Sequence, residues 1–335
     1  MLCTLPPPGK ALPSGGERGY GYGPVPPSNS LARRAPPALA PVPSRCHLCG
    51  GDRMALRFPA RGAGGPLEAG AFRCTSFGHR SHPPIWSCEE CGLLFQWPAP
   101  AEGVLRHAYG EVVDPLYLAE RQNRLRTFRR VVSRLGPGNG RRLLDVGAYC
   151  GLFLAVAKES GFAAEGLELS RWAAAHARAL GFPVREETLA ERARAGARYD
   201  VLTMWDVIEH LPDPRRELEA AFRLLRPGGR LYLSTIDAGS AAARLLGPRW
   251  PWLMDMHLFY FDRSTVRVAL EEAGFRMLER RSYVHTVSAD YLLRKLAAGF
   301  PALAPIARAL RRLIPGRWPV PVNLGDNMLV VAERP

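Results

Sequence analysis

The stretch that most constrains the fold of this chain spans residues 141–154 and reads Arg-Arg-Leu-Leu-Asp-Val-Gly-Ala-Tyr-Cys-Gly-Leu-Phe-Leu. An apolar segment ends in Asp145, a glycine turn follows, and an amphipathic helix begins after Gly151. A second acid, Glu168, closes another short apolar segment 23 positions after Asp145. A strand, a glycine turn and a helix in this order predict a nucleotide-type cofactor site at the carboxyl end of a first parallel strand.

Apolar strands and amphipathic helices alternate along the rest of the chain. The pattern predicts strands near 142–146, 164–168, 199–205, 230–235, 275–283 and 327–333, and helices near 151–160, 171–180, 214–225 and 264–273. Arg226-Pro227-Gly228-Gly229 reads as a helix stop and turn. Because this alternation requires a parallel sheet covered on both faces, we predict an α/β fold with a Rossmann-like, doubly wound, mostly parallel seven-stranded sheet.

Two downstream motifs carry a family resemblance. Residues 199–214 read YDVLTMWDVIEHLPDP, and residues 224–231 read LLRPGGRL. In order and spacing they resemble the fourth-strand region and the segment before the fifth strand of class I S-adenosylmethionine (SAM) dependent methyltransferases. The run from Gly147, G-A-Y-C-G, does not fit the G-x-G-x-x-G fingerprint of dinucleotide-binding enzymes. The resemblance covers about 141–283 and 327–333, and it implies that SAM is the cofactor.

The resemblance also implies a set of SAM-binding residues. Glycine permits close backbone approach, and Asp145 would hold the turn and the ammonium group of SAM. Glu168 would accept the ribose hydroxyls, and Leu189 would border the adenine. The implied cofactor-binding set is Asp145, Gly147, Gly151, Glu168, Leu189, Trp205 and Asp206.

One position departs from the family pattern. The usual middle glycine of the turn is Tyr149 here. We expect Tyr149 to keep a negative φ and to turn its ring away from the cofactor. Its neighbour Cys150 reads as a small packing residue rather than a nucleophile. Tyr149 is also the basis of one alternative function, a SAM-binding scaffold without catalytic activity.

The N-terminal part of the chain contains two C-x-x-C-G units. They supply Cys46, Cys49, Cys88 and Cys91, and four thiolates suit a closed, structural, tetrahedral Zn²⁺ site. Cys74, His79 and His82 lie between the units and are alternative ligands. The run CGLLFQWP at 91–98 resembles the segment that joins a zinc ribbon to a SAM methyltransferase domain in many bacterial proteins of sugar, polysaccharide or secondary-metabolite pathways.

Composition changes divide the chain into four predicted parts. These are a disordered Pro/Gly-rich tail at 1–44, a zinc-ribbon module at 45–98, a linking helical segment at 99–140, and the methyltransferase domain at 141–335 with an insertion at 286–325. No segment is long and apolar enough for a transmembrane helix, and the start lacks a secretory pattern, so we expect a cytoplasmic protein.

Two histidines are the candidate catalytic bases. His210 follows Glu209 in the loop after the fourth strand, beside the SAM methyl group in related folds. His257 lies in the aromatic-rich segment 250–261, and Tyr260 in the same segment is a weaker candidate. The alternative for His210 is a loop-ordering hydrogen bond, and for His257 a helix-capping role.

The net charge of +14 rests almost wholly on arginine, since only three of the 45 cations are lysine. We interpret most of these arginines as scattered, solvated residues that reflect the codon composition of a GC-rich genome. The insertion from Tyr291 to Arg317 has six cations and no acid, with Leu303, Ile306, Leu310 and Leu313 at helical spacing. It reads either as a helix packed on the domain or as a surface for an anionic or lipid-linked substrate, with peripheral membrane contact.

These observations predict a zinc-ribbon-bearing SAM methyltransferase that acts on a small-molecule or glycan-type acceptor. An RNA methyltransferase is the first alternative, supported by the arginine-rich segment 121–142. The 45–98 module has no basic cluster with interleaved aromatics, which weighs against it.

Overall fold

The computed structural model describes residues 42–62, 69–76 and 81–335. Most of the tail predicted at 1–44, and His79, lie outside the described residues. The strands are β1 Met54–Phe58, β2 Ile85–Cys88, β3 Leu94–Gln96, β4 Arg142–Val146, β5 Ala163–Leu167, β6 Val184–Arg185, β7 Tyr199–Trp205, β8 Leu225–Ile236, β9 Phe259–Tyr260, β10 Arg276–Ser282, β11 His285–Ser288, β12 Pro319–Val322 and β13 Asn327–Glu333. The α-helices are α1 Glu102–Gly110, α2 Pro115–Ala119, α3 Arg121–Val132, α4 Leu152–Glu159, α5 Arg171–Ala179, α6 Leu189–Arg194, α7 Pro214–Leu224, α8 Ala241–Leu246, α9 Arg263–Glu272, α10 Ala289–Gly299 and α11 Ala304–Leu313.

The central sheet has seven strands in the order β10-β13-β8-β7-β4-β5-β6. The five strands from β8 to β6 are parallel, and β13 inserts antiparallel between β8 and β10. Leu143 and Leu144 of β4 are completely buried, as expected for a central strand covered by helices on both faces. The predicted Rossmann-like, doubly wound architecture is confirmed.

The register of β4 and β7 aligns the carboxyl ends of these two strands. Asp145 pairs with Thr203, and Val146 with Met204, so the two strands end at the same level. The helices that follow the strands begin with side-chain caps: Ser170 caps α5, and Asp213 caps α7 with Pro214 in its first turn. The loops after β4, β5 and β7 therefore meet at one edge of the sheet, which is where ligands bind in such folds.

The structure differs from the predicted secondary structure at residues 226–229. These residues open β8 instead of forming a free turn. The amide of Gly228 donates to the Arg334 carbonyl at 2.8 Å, and the Arg334 amide donates to the Gly229 carbonyl at 2.9 Å. Gly228 still has the positive φ of a turn, 73°. The end of the chain thus supplies pairing partners that the local sequence does not reveal.

The N-terminal module forms a second, antiparallel sheet in the order β1-β2-β3-β9. Its last strand comes from the segment after β8, through the pairs Leu94–Tyr260 and Phe95–Phe259. The ring of His47 packs against Phe95 and Phe259 at centroid distances of 5.4 and 5.3 Å. The module therefore shares a sheet and an apolar core with the domain that contains the seven-stranded sheet.

The insertion forms a helical hairpin, α10 and α11, on a two-stranded sheet of β11 and β12. Glu120 anchors its base, because its carboxylate accepts hydrogen bonds from the Ser288 amide (2.8 Å) and hydroxyl (2.6 Å). Among the residues that the structure describes, no helix is long and apolar enough to cross a membrane.

Candidate functional site

A cavity of about 190 Å³ lies at the carboxyl ends of β4, β5 and β7. The loops after these strands form its floor, while α1 and residues of the N-terminal module close it from above. The module contributes Phe72 and Cys74, and α1 contributes Leu105, Arg106 and Tyr109. Arg106 also pairs with Glu191 of α6 at 3.1 Å, which joins the cover to the floor.

Five of the seven predicted cofactor residues line this cavity: Gly147, Glu168, Leu189, Trp205 and Asp206. Gly147 has φ 70°, and a Cβ there would lie 2.8 Å from Val207. Gly151 has φ 75° at the start of α4, where a Cβ would lie 2.9 Å from Ala177 of α5. Gly151 therefore serves helix packing, while Gly147 opens the cavity wall.

Tyr149 contradicts the expectation of a negative φ and an outward ring. Its φ is 46°, the left-handed conformation that the replaced glycine would adopt at no steric penalty. The ring lines the cavity, makes an edge contact with Tyr117 at 4.5 Å, and donates its hydroxyl to Asp114 Oδ2 at 3.1 Å. These contacts stabilise a backbone conformation that costs about 1–2 kcal/mol in a residue with a Cβ.

The two acids predicted at the strand ends occupy different positions. Asp145 is buried below the cavity and accepts a hydrogen bond from Thr203 Oγ1 at 2.6 Å, and burial raises its pKa to about 8. Glu168 reaches the cavity and accepts the amides of Tyr149 (2.8 Å) and Ser170 (2.7 Å). Burial raises the pKa of Glu168 to about 7, against the lowering effect of these amides. Each Glu168 oxygen keeps a second lone pair for a ribose hydroxyl.

Replacing Glu168 with glutamine should weaken binding of S-adenosylhomocysteine (SAH) by about 10- to 150-fold. That range corresponds to roughly 1.5–3 kcal/mol, the contribution of hydrogen bonds to a charged group. Isothermal calorimetry would measure the affinity, and Glu186→Gln, an exposed carboxylate paired with Arg178, is the matched control. An unchanged SAH affinity in Glu168→Gln would place the ribose elsewhere.

Sequence reasoning missed Asp114, a buried acid that contacts the cofactor turn. Its carboxylate accepts hydrogen bonds from the Thr75 amide and hydroxyl, from the Tyr117 amide and from the Tyr149 hydroxyl. It thereby links the N-terminal module, the start of α2 and the cofactor turn. The acid directly before a Pro-initiated helix was the available sequence clue.

Replacing Asp114 with asparagine should lower both SAH affinity and the unfolding temperature. An asparagine amide group would face two donors where the carboxylate now accepts, which costs about 1–3 kcal/mol for each unsatisfied buried group. Asp262→Asn is the control, because Asp262 caps α9 away from the cavity. If both variants lose the same stability and neither loses SAH affinity, Asp114 is only a helix cap.

Part of the cavity lining is apolar. Phe72, Leu105, Val112 and Met256 contribute apolar side chains to the lining, and His210 and Tyr109 contribute polar ones. The Nδ1–H of His210 donates to the Met256 carbonyl at 2.7 Å, so Nε2 of the neutral ring carries a lone pair. Burial lowers the pKa of His210 below its usual 6.5. The same ring can therefore order the loop through Nδ1 and offer a base at Nε2.

His257 and Tyr260 lie behind the cavity wall. His257 is buried, pairs its Nδ1 with the Trp252 carbonyl at 2.9 Å, and packs its ring 4.8 Å from the His210 ring. One ligand atom each from Glu209, His210 and His257 lie within 4.8 Å of one another, a set able to hold a metal ion. Tyr260, in β9, contacts Gln96 and Met254 and does not line the cavity.

The four predicted zinc ligands come together in space. The Sγ atoms of Cys46, Cys49, Cys88 and Cys91 all lie within 4.8 Å of one another. The Cys46–Cys91 and Cys49–Cys88 separations are both 3.6 Å, close to the about 3.8 Å edge of a tetrahedron with Zn–S bonds of about 2.3 Å. Cys74 and His82 are not in the cluster: Cys74 lines the cavity, and His82 bonds the Pro83 carbonyl.

Comparisons with known proteins agree with this geometry. A family model described as "Methyltransferase domain" matches residues 117–280. A ubiquinone biosynthesis O-methyltransferase of Ralstonia nicotianae is 31% identical over 190 residues, which cover 48% of this chain and 79% of that protein. One of Paracidovorax citrulli is 34% identical over 121 residues, covering 33% and 50%.

The chain spans about half the length of the first curated relatives that it matches. A Thermotoga maritima structure, titled a possible histamine N-methyltransferase, is 18% identical with a TM-score of 0.43, covering 64% of this chain and 91% of its own. Sheet order, cofactor turn, motifs and sequence relatives together place the chain among the class I SAM-dependent methyltransferases.

Proposed function

We propose that this protein transfers the methyl group of SAM to a hydroxyl oxygen of a small, largely apolar acceptor. The observation that carries the proposal is His210, an imidazole with an available Nε2 in an apolar wall of the cofactor cavity. A hydroxyl holds its proton at neutral pH and therefore needs a base, whereas an amine can react without one. The relatives' name, O-methyltransferase, supports oxygen as the methylated atom.

Different residues of this chain bind the cofactor, exclude water from the acceptor and accept its proton. Glu168 and the turn at Gly147 hold the cofactor, and burial among Phe72, Leu105 and Met256 excludes water from the acceptor. When bound, SAM supplies an electrophilic methyl group whose bond to sulfur breaks as the acceptor oxygen attacks in line. The proton of that hydroxyl passes to His210 Nε2 and then to solvent. Much of the rate enhancement comes from holding the two reactants in this geometry.

Tyr109 is a second polar contact for the acceptor. It lines the cavity 6.4 Å from the His210 ring, and its hydroxyl has no hydrogen-bond partner among the residues that the structure describes. Burial raises the pKa of Tyr109 well above 10, so the hydroxyl stays protonated and is a donor. A hydroxyl acceptor between the two side chains would donate to His210 and accept from Tyr109.

The glycan-type acceptor predicted earlier is not supported. A sugar presents many hydroxyls, and burying them without partners carries a large free-energy penalty. Phe72, Leu105, Val112 and Met256 give the cavity much apolar lining, and the relatives' names refer to ubiquinone biosynthesis. We therefore propose a small aromatic or otherwise apolar alcohol or phenol as the acceptor.

We also propose that Zn²⁺ occupies the four-cysteine cluster as a structural ion. Each C-x-x-C unit is followed by a glycine of positive φ, Gly50 at 73° and Gly92 at 83°, which suits a tight turn around a metal. Four thiolate ligands leave no position for a substrate. The ion would hold together the module that covers the cavity.

The decisive experiment has two stages. Calorimetry first measures SAH binding to the purified protein, and micromolar affinity is expected. Transfer of labelled methyl from SAM is then measured for phenols and catechols, with amines and free sugars as competing classes. Methylation of the hydroxylated aromatics alone supports the proposal. SAH binding with no transfer to any class would favour the scaffold alternative, and methylated amines or sugars would exclude the proposed acceptor.

A further inference from the structure

Helix α11 presents its apolar residues to solvent. Ile306 is 58% exposed and Leu313 is 79% exposed, and Leu303 and Leu310 are also exposed. The only buried residue of the helix is Ala307. The helix touches the rest of the insertion along the edge that contains Ala307, next to α10, so its leucine and isoleucine face is left uncovered. The segment therefore packs through α10 and through one edge of α11, and it leaves the apolar face of α11 exposed.

The same segment is strongly basic. From Tyr291 to Gly325 the chain has six cations and no acidic residue. Asp290, just before this stretch, pairs with Arg294 and Arg311 at 2.7 Å each. Within the described parts of the chain, no carboxylate lies within salt-bridge distance of the other three arginines of the insertion, which are Arg308, Arg312 and Arg317.

An exposed tryptophan lies at the same end of the hairpin as Leu313. Trp318 is 60% exposed, and its carbonyl accepts the amide of Ala289 at the start of α10, beside the end of α11. Leucine and isoleucine on one face, arginine on the other and tryptophan at the end are the composition of helices that lie in a membrane interface. A protein partner would not require this excess of uncompensated positive charge.

We propose that α11 and Trp318 form a docking surface for a membrane that contains anionic lipids. Ile306, Leu310 and Leu313 would enter the boundary between headgroups and acyl chains, while Arg308, Arg312 and Arg317 would contact lipid phosphates. Each cation near an anionic surface contributes about 1 kcal/mol at physiological ionic strength. The proposal goes beyond the proposed function and does not depend on it, because the surface lies on the insertion and not in the cavity.

Vesicle sedimentation of the full-length protein tests this surface. The protein should sediment with vesicles of phosphatidylcholine mixed with phosphatidylglycerol, less with phosphatidylcholine alone, and less as salt is raised. The double variant Arg308→Gln/Arg312→Gln should lower partitioning about 30-fold, which corresponds to about 1 kcal/mol for each arginine. Absence of sedimentation with the anionic vesicles would overturn the proposal.

The apolar half of the surface has a matched control. Ile306→Ser/Leu313→Ser should lower partitioning at least about tenfold, because it removes two apolar side chains that would enter the lipid. Leu245→Ser should leave partitioning unchanged, because Leu245 is even more exposed (87%) but lies on α8. SAH binding of every variant shows that it is folded. If the double variant instead abolishes self-association in sedimentation velocity and leaves vesicle binding intact, the face joins two copies and the lipid proposal is wrong.

Discussion

Replacing Cys88 with serine should abolish zinc binding at the proposed four-cysteine site, unfold the N-terminal module and lower SAH affinity. Cys88 is completely buried at the end of β2, and its Sγ lies 3.6 Å from that of Cys49. Removing one thiolate from a closed four-sulfur site leaves a hydroxyl that binds zinc poorly. Structural zinc contributes roughly 10–16 kcal/mol to the folding of zinc-finger peptides. This is the largest effect that we expect from any single substitution in the chain.

Unfolding of the N-terminal module should also disturb the cofactor cavity, because residues of the module cover that cavity. Phe72 and Cys74 line the cavity, Thr75 bonds Asp114, and β3 pairs with β9. Elemental analysis measures the zinc content, circular dichroism the unfolding, and calorimetry the SAH affinity. Cys74→Ser is the control and should retain one equivalent of zinc. One equivalent retained in Cys88→Ser would refute the four-cysteine site. In the unaltered protein, a strong chelator should reproduce the loss of SAH affinity.

The parallel sheet was predictable because each of its strands is encoded by a pattern in the local sequence. Each strand is a short apolar run beside an amphipathic helix, and β7 matches the predicted range 199–205 without any shift. The cysteine cluster was equally predictable, since the spacing of each pair encodes the tight turn. The two-residue strand β6 and the short helices α6 and α8 were missed, because segments this short have too few residues to show a period.

The parts that escaped prediction depend on contacts between distant residues. Strand β9 has only two residues, and its partner β3 lies more than 150 positions earlier in the chain. Asp114 acquires its role only because Thr75 and Tyr149 fold onto it. The backbone of Tyr149 was predicted from steric preference alone. The neighbouring Tyr117 and Asp114 provide contacts that stabilise the left-handed conformation.

The exposure of α11 shows a different limit. Its periodicity identified an amphipathic helix correctly, but periodicity cannot tell whether the apolar face meets protein or solvent. The structure leaves Ile306 and Leu313 uncovered. The proposed apolar acceptor dissolves poorly in water and would partition into a membrane. The proposed docking surface and the proposed substrate class are therefore chemically compatible, although each is tested separately.

Replacing His210 with asparagine should lower kcat by about 10²- to 10⁴-fold, the range for loss of a positioned general base. The asparagine amide can still donate to the Met256 carbonyl, as Nδ1–H does now, so the loop should stay ordered. It cannot replace the basic Nε2. SAH affinity should therefore change little, whereas a purely loop-ordering role predicts an unchanged kcat. The measurement uses the acceptor that the methyl-transfer screen identifies.

The pH dependence separates a base from a structural residue. Only neutral imidazole accepts a proton, and burial lowers the pKa of His210 below 6.5. Activity should accordingly be full at neutral pH, persist below pH 6.5, and fall as the pH drops through the lowered pKa. His210→Asn should lose this acidic limb, while His257→Asn should keep it, because His257 contacts the His210 ring and not the cavity. The same acidic limb in His210→Asn would assign the base to another residue.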